Sequence, residues 1–213
     1  MAYKVDDSGN YLQFLGLTVV SAVNQTGSEA CTTDDTSVWE KCHHILASTP
    51  DIAACYTPLP HQSYHMTTTM LENEYYIGKR KWESYVSGRL RRYQELHEVL
   101  VNANIRPVFT VQEVNTEGSI YLSGSIDEES KVKILLFADE YKLTRLLPFD
   151  WHITIAYNYA PMTREQMKSI SLQVSTHLSD LFIGKEFVLD IAKMCFHRDM
   201  TRFEPWDGSK YPF

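Results

Sequence analysis

The sequence predicts an α+β protein of two small lobes. Three observations carry this. The chain has 213 residues, 44% of them hydrophobic, which suffices for one bilobal domain with its own core and no disulfide or metal staple. Strand, helix, strand and a histidine-bearing strand follow one another in the first half, and the second half again places such a strand after a helix. The two histidine-bearing strands share one alternating pattern. The lobes divide near 1–105 and 106–213.

The elements follow in order. Tyr11–Val23 reads as a strand, with β-branched residues at Thr18-Val19-Val20. Ser37-Val38-Trp39-Glu40 has the spacing of a capping box and starts a helix running to about Ala47, which Pro50 stops. A strand near Ile52–Tyr56 and a loop bounded by Pro58 and Pro60 lead to a strand over His61–Met70. Trp82, Tyr85, Val86, Leu90, Tyr93, Leu96 and Leu100 recur at steps of three and four, which predicts one amphipathic helix. Val108–Val114 and Ser119–Ile126 form a hairpin around the turn residues Asn115-Thr116-Glu117-Gly118. A helix spans about Glu128 to Leu147 and ends at Pro148, and a strand occupies Trp151–Tyr157. Thr163-Arg164-Glu165-Gln166 is a second capping box, opening a helix to about Gly184, and Glu186–Phe196 is a closing strand.

Charge narrows the partners. Twenty Lys and Arg against 27 Asp and Glu leave a net charge of −7, which argues against coating duplex nucleic acid, because that binding needs an excess of bases over the phosphates contacted. A small phosphorylated ligand needs only local donors. Residues 1–75 hold two bases, Lys4 and Lys41, against nine acids, whereas Lys79–Arg106 holds seven bases and three acids, a local +4. Cys31, Cys42, Cys55 and Cys195 have no CxxC spacing and read as free thiols of a reducing compartment. Tyr11–Val23 is long enough to mimic a signal-peptide core, but Lys4 against Asp6 and Asp7 gives its flank the wrong sign. No run reaches the roughly 20 apolar residues of a membrane span. A cytoplasmic monomer is expected.

Chemistry concentrates in two strands, Tyr64-His65-Met66-Thr67-Thr68-Thr69-Met70 and Trp151-His152-Ile153-Thr154-Ile155-Ala156-Tyr157. Side chains alternate faces along a strand, so His65, Thr67 and Thr69 share one side, as do His152, Thr154, Ala156 and Asn158. His-x-Ser/Thr alone is a weak pattern, since His61 with Ser63 and His177 with Ser179 also satisfy it. What distinguishes the pair is an apolar residue between His and Thr, an alternating strand around each, and one copy in each half. His43, His44, His97 and His197 show no such context. There is no HExxH, no His-x-His, no glycine-rich phosphate loop and no Gly-x-Ser-x-Gly elbow. Tyr75, Tyr76 and Trp82 beside Lys79 form a mixture able to stack a base and hold a phosphate.

These residues resemble the 2H phosphoesterase superfamily, the LigT-like and cyclic-phosphodiesterase-like proteins. Its mark is two H-x-T/S motifs on strands facing across a bilobal cleft. Ser63–Thr67, Phe149–Tyr157 and Cys195–Met200 with Phe203 look like a branch catalogued mainly as a domain of unknown function. The resemblance implies a phosphodiesterase with His65, Thr67, His152 and Thr154 as catalytic residues and no metal or other cofactor. Two histidines can supply base and acid near neutral pH, and two threonine hydroxyls can donate to phosphoryl oxygens. Which histidine is base stays open. The expected substrate is a small nucleotide or short oligonucleotide: a 2′,3′-cyclic phosphate, a 2′-5′ linkage, or a cyclic di- or oligonucleotide. Tyr75, Tyr76, Lys79, Trp82 and Asn158 are candidate substrate contacts. A binding module without turnover and an RNA-processing factor of the same fold are the rival readings.

Overall fold

In the computed structural model, which describes residues 4–25 and 37–212, nine strands join in one antiparallel sheet. They are β1 (Gly16–Ala22), β2 (Tyr56–Pro58), β3 (His65–Asn73), β4 (Val108–Asn115), β5 (Ser119–Ile126), β6 (Trp151–Asn158), β7 (Glu186–Val188), β8 (Lys193–His197) and β9 (Glu204–Pro205). The order across the sheet is β7-β4-β5-β6-β3-β1-β8-β9, with β2 also on β6. β3 pairs with β1 along its length and β6 with β5, but β3 and β6 share only the pair Met66 and Ile153. The sheet is therefore two halves hinged at one residue pair and curled into a half-barrel. β8 returns from the end of the chain to pair with β1, and β9 pairs with β8, so the half bearing His65 is built from both ends of the sequence.

Seven helices are described: α1 (Val38–Ser48), α2 (Pro50–Ala53), α3 (Glu74–Ile77), α4 (Trp82–Ser87), α5 (Leu90–Ala103), α6 (Glu128–Glu140) and α7 (Arg164–Phe182). Ser37 caps α1 by accepting from Trp39 N. The second capping box closes in both directions, Thr163 N to Gln166 Oε1 and Gln166 N to Thr163 Oγ1. α7 buries Ile170, Val174, Leu178 and Phe182 at four-residue steps. Trp39 of α1 meets Phe182 and Phe187 at ring distances of 5.1 and 4.8 Å, tying both helices to the β7 edge. α5 buries Tyr93, Leu96 and Leu100 and packs on β8.

Several boundaries differ from the sequence-based expectation. Pro50 starts α2 at its first turn, so Ile52 lies in a helical turn and the strand begins only at Tyr56. The single helix expected across Trp82–Leu100 breaks at Gly88 and Arg89 into α4 and α5. The helix expected to reach Leu147 stops at Glu140, where Lys142 adopts a left-handed φ of 57°. The closing strand divides into β7 and β8, and the first strand starts at Gly16. Cys31 lies outside the described residues, and Cys42, Cys55 and Cys195 are free and buried. Among the described residues no helix is long and apolar enough to cross a membrane.

Gly124 shows how tightly β4 and β5 approach. A Cβ there would run into the Thr110 carbonyl oxygen, which belongs to the neighbouring strand's backbone and cannot swing away. Gly124→Ala is expected to cost about 1–3 kcal/mol, seen as a lower midpoint in thermal denaturation, with no compensating change in helix content.

Candidate active site

The two motifs sit on the strands that meet at the hinge. Because β3 and β6 run antiparallel about Met66 and Ile153, that register sets His65 toward Thr154 and Thr67 toward His152. Met66 and Ile153 are fully buried beneath them, while His65, Thr67, His152 and Thr154 stay partly open on the other face.

Both strands carry a bulge one residue past the motif threonine. Val19 pairs with Thr69 and Val20 with Thr67, leaving Thr68 as the extra residue of β3. Ile120 pairs with Ala156 and Tyr121 with Thr154, leaving Ile155 as the extra residue of β6. A bulge reverses the faces beyond it. The expected alternation therefore holds only as far as each threonine. Thr69 is buried and Met70 opens to the cavity, while Tyr157 turns toward Thr154 and Asn158 turns away. Asn158 donates to the Cys55 and Ala160 carbonyl oxygens, a structural use of its amide nitrogen on the face away from the two motifs.

The two histidines are held alike. His65 Nδ1 lies 2.7 Å from the Ser63 carbonyl oxygen and His152 Nδ1 lies 3.2 Å from that of Asp150, in each case the residue two positions earlier. A carbonyl only accepts, so Nδ1 carries the hydrogen in both, and Nε2 is left for a ligand. Asp150 Oδ1 is a further acceptor 3.3 Å from His152 Nδ1. Burial pushes the His65 pKa down to about 4; the Ser63 bond opposes this and the charges of Lys4 and His152 add to it. His65 is thus neutral at pH 7, with a free lone pair on Nε2. The effect of the His152 charge on His65 places the two motifs within electrostatic reach of each other.

A cavity of about 880 Å³ opens beside β3, lined by His65 and Thr67 on its floor and by Tyr75, Tyr76, Asn73 and Arg145 toward its rim. Tyr75 and Tyr76 are 54% and 83% exposed, so their rings are free to take a flat ligand group. Trp82 is not: it is 1% exposed and its Nε1 donates to Tyr211 Oη, which makes it core. Lys79 borders a separate depression with Gln13, Glu83 and Arg198, away from the histidines. His152 stands outside the cavity, its side chain 38% exposed and its ring edge-on to Tyr121 at 5.5 Å. Among the described residues no group of three or more His, Cys, Asp and Glu is placed to hold a metal ion.

Three cleft residues are not among the expected site residues. His197 ends β8 between the rings of Phe14 and Phe203, and burial lowers its pKa to about 3. A Cβ on Gly16 would strike its imidazole, so glycine at that position seats it. Phe203 lies against His65 with ring centroids 3.9 Å apart and walls the cavity from a smaller one of about 390 Å³. Lys4 enters the same cavity from the N-terminal segment. His197 and Phe203 fall in the segment that the family resemblance marked, one residue beyond the expected strand and in the tail; Lys4 carries no sequence signal beyond being one of two bases in the first 75 residues.

Comparison with known proteins bears on this arrangement. Residues 4–104 match the 2H-phosphodiest family, a domain of unknown function (DUF1868). That stretch is just under half of the chain and includes the His65 motif, while the His152 motif lies beyond it. The resemblance to a 2H phosphoesterase catalogued as a domain of unknown function is borne out, and the name of the 2H-phosphodiest family points to phosphodiesterase chemistry. Among curated proteins none matches the chain. The fold is similar to the crystal structure of a conserved protein of unknown function from Agrobacterium tumefaciens strain C58, with a TM-score of 0.70 and 16% identity over 97% of this chain and 90% of that one. At that identity the likeness concerns the fold, and it agrees with the expected bilobal α+β architecture.

Proposed function

We propose that the protein is a metal-independent phosphodiesterase acting on a small nucleotide phosphodiester, with His65 as general base and His152 as general acid. The observation that carries this is the matched pair of imidazoles, each with Nδ1–H fixed by a backbone oxygen, on adjoining antiparallel strands. The neutral His65 accepts a proton at Nε2 from the attacking water, whose oxygen forms the new P–O bond. The leaving oxygen takes a proton from Nε2 of protonated His152, whose Nδ1–H rests on the Asp150 oxygens. Proton exchange with water restores both rings. The Thr67 and Thr154 hydroxyls donate to the non-bridging oxygens as negative charge builds there. Tyr75 or Tyr76 stacks the nucleobase at the rim.

The test is hydrolysis, with EDTA present, of a panel of 2′,3′-cyclic, 2′-5′-linked and cyclic di- and oligonucleotides by the wild type, His65→Ala and His152→Ala. Turnover that either substitution abolishes supports the reading, and turnover that requires added metal sinks it. Tight binding with no turnover would favour a nucleotide-binding module, which the Phe203 ring packed on His65 also suits. The assignment of roles has its own check. With His65 as a base whose pKa is about 4, the base stays unprotonated and kcat/KM should not fall between pH 7 and 5.5. A base of ordinary histidine pKa would lose about tenfold over that range.

A further inference from the structure

We propose that Lys4 is a third phosphoryl-binding group of this cleft, carried in on an N-terminal hairpin that straps the two halves of the sheet together. The inference deepens the phosphodiesterase reading but rests on separate observations. Lys4 lines the cavity of His65 and Thr67, and its Nζ lies 3.4 Å from Tyr157 Oη, whose side chain turns toward Thr154. It touches both the ligand space of the first motif and a partner of the second. The rings of Phe14 and Tyr157 flank the ammonium at 5.0 and 5.3 Å.

Its charge has no carboxylate partner among the described residues. The nearest acid in sequence, Asp6, spends its carboxylate on Ser8 N, Asn10 N and the Asn10 side chain. Glu72, on the far side of the same cavity, accepts from the hydroxyls of Tyr85 and Tyr93. Burial lowers the Lys4 pKa to about 8, which still leaves it mostly protonated at pH 7. A partly buried ammonium without a counter-ion is costly, and an anionic oxygen arriving in the cavity reduces that cost.

The hairpin holds Lys4 in place. Val5 bridges Tyr11, and Leu12 N donates to the Lys4 carbonyl at 2.9 Å. Thr57 Oγ1 donates to Gly9 O at 2.8 Å and Tyr11 Oη to Pro58 O at 2.9 Å, anchoring the turn on β2 in the half that bears His152. Phe14 N donates to Arg198 O at 2.7 Å, anchoring the exit on the half that bears His65. Gly9, at φ +80°, backs directly onto Thr57 and Tyr159, where a side chain has no room. The ammonium is thus fixed relative to both motifs, as binding to a charge that develops during reaction requires.

The test uses the full chain and inorganic phosphate as probe. Acetic anhydride labels the wild type with and without phosphate, and peptide mass spectrometry reads Lys4 against the exposed Lys41. Phosphate should slow labelling of Lys4 about fivefold or more and leave Lys41 unchanged. By calorimetry, Lys4→Met should weaken phosphate binding about tenfold or more, and Lys4→Arg should recover most of it. Equal labelling of Lys4 with and without phosphate, or undiminished binding in a folded Lys4→Met, would overturn the proposal. So would a wild type that does not bind phosphate. Protection of Lys4 together with an unhydrolysed nucleotide panel would keep the anion site and discard the catalytic reading. Hydrolysis with Lys4 unprotected would do the reverse.

Discussion

His65→Ala and His152→Ala are each expected to lower kcat on a hydrolysed nucleotide by about 10²- to 10⁴-fold, the usual contribution of a positioned base or acid. KM should move much less, because each imidazole acts on a proton in flight rather than on the bound ground state. The double variant should be little worse than either single one, since both groups serve one transition state. Thr67→Val and Thr154→Val remove single donors to the phosphoryl oxygens and should each cost about 10²-fold. Steady-state kinetics on the five variants checks the pattern. A His65→Ala enzyme retaining wild-type kcat would remove the base from the proposed mechanism.

Acid should begin to destabilise the protein before its carboxylates titrate. The pKa of His65 is depressed to about 4 and that of His197 to about 3, in both cases mainly by burial, whereas an unfolded chain titrates histidine near 6.5. Between pH 6.5 and 4 the unfolded state therefore binds more protons than the folded one, so stability is full above pH 6.5 and falls as the pH drops through that window. With the partial exposure of His65 discounted, the two groups together represent a loss on the order of several kcal/mol by pH 4. Lys4 adds to the effect, because its charge disfavours a proton on either ring. Thermal denaturation at half-unit steps from pH 7 to 4 reads the slope. A midpoint that stays level across that range would mean that neither ring is held neutral.

Much of the fold is legible because local chemistry and tertiary context agree. The second capping box predicts the start of α7 to the residue, and alternating apolar positions predict β6 with its motif and β3 around His65 and Thr67. β3 nevertheless runs over His65–Asn73 where the sequence places it at His61–Met70, the residues His61–Ser63 forming a 3-10 turn. What the sequence hides is set by non-local pairing. Nothing in Thr67-Thr68-Thr69 or Thr154-Ile155-Ala156 announces a bulge, because a bulge depends on the register of the partner strand. Asn158 and Tyr157 therefore exchange faces relative to the expected alternation. Trp82 carries no mark that separates a stacking platform from a core indole until Tyr211 arrives from the end of the chain. Lys4 and His197 are brought to the cleft by segments at opposite ends of the sequence, one through a hairpin anchored on β2 and the other through pairing of β8 with β1.

The sharpest test of a single two-histidine site is nuclear magnetic resonance of ¹⁵N-histidine-labelled protein titrated with adenosine 2′-monophosphate, with the His65 and His152 rings assigned from the alanine variants. The Nε2 signals of both should move along one binding curve with a common Kd, while His177, on the exposed face of α7, stays still. Movement of one ring without the other, or of neither as the nucleotide binds, would contradict a site in which His65 and His152 work on the same phosphate.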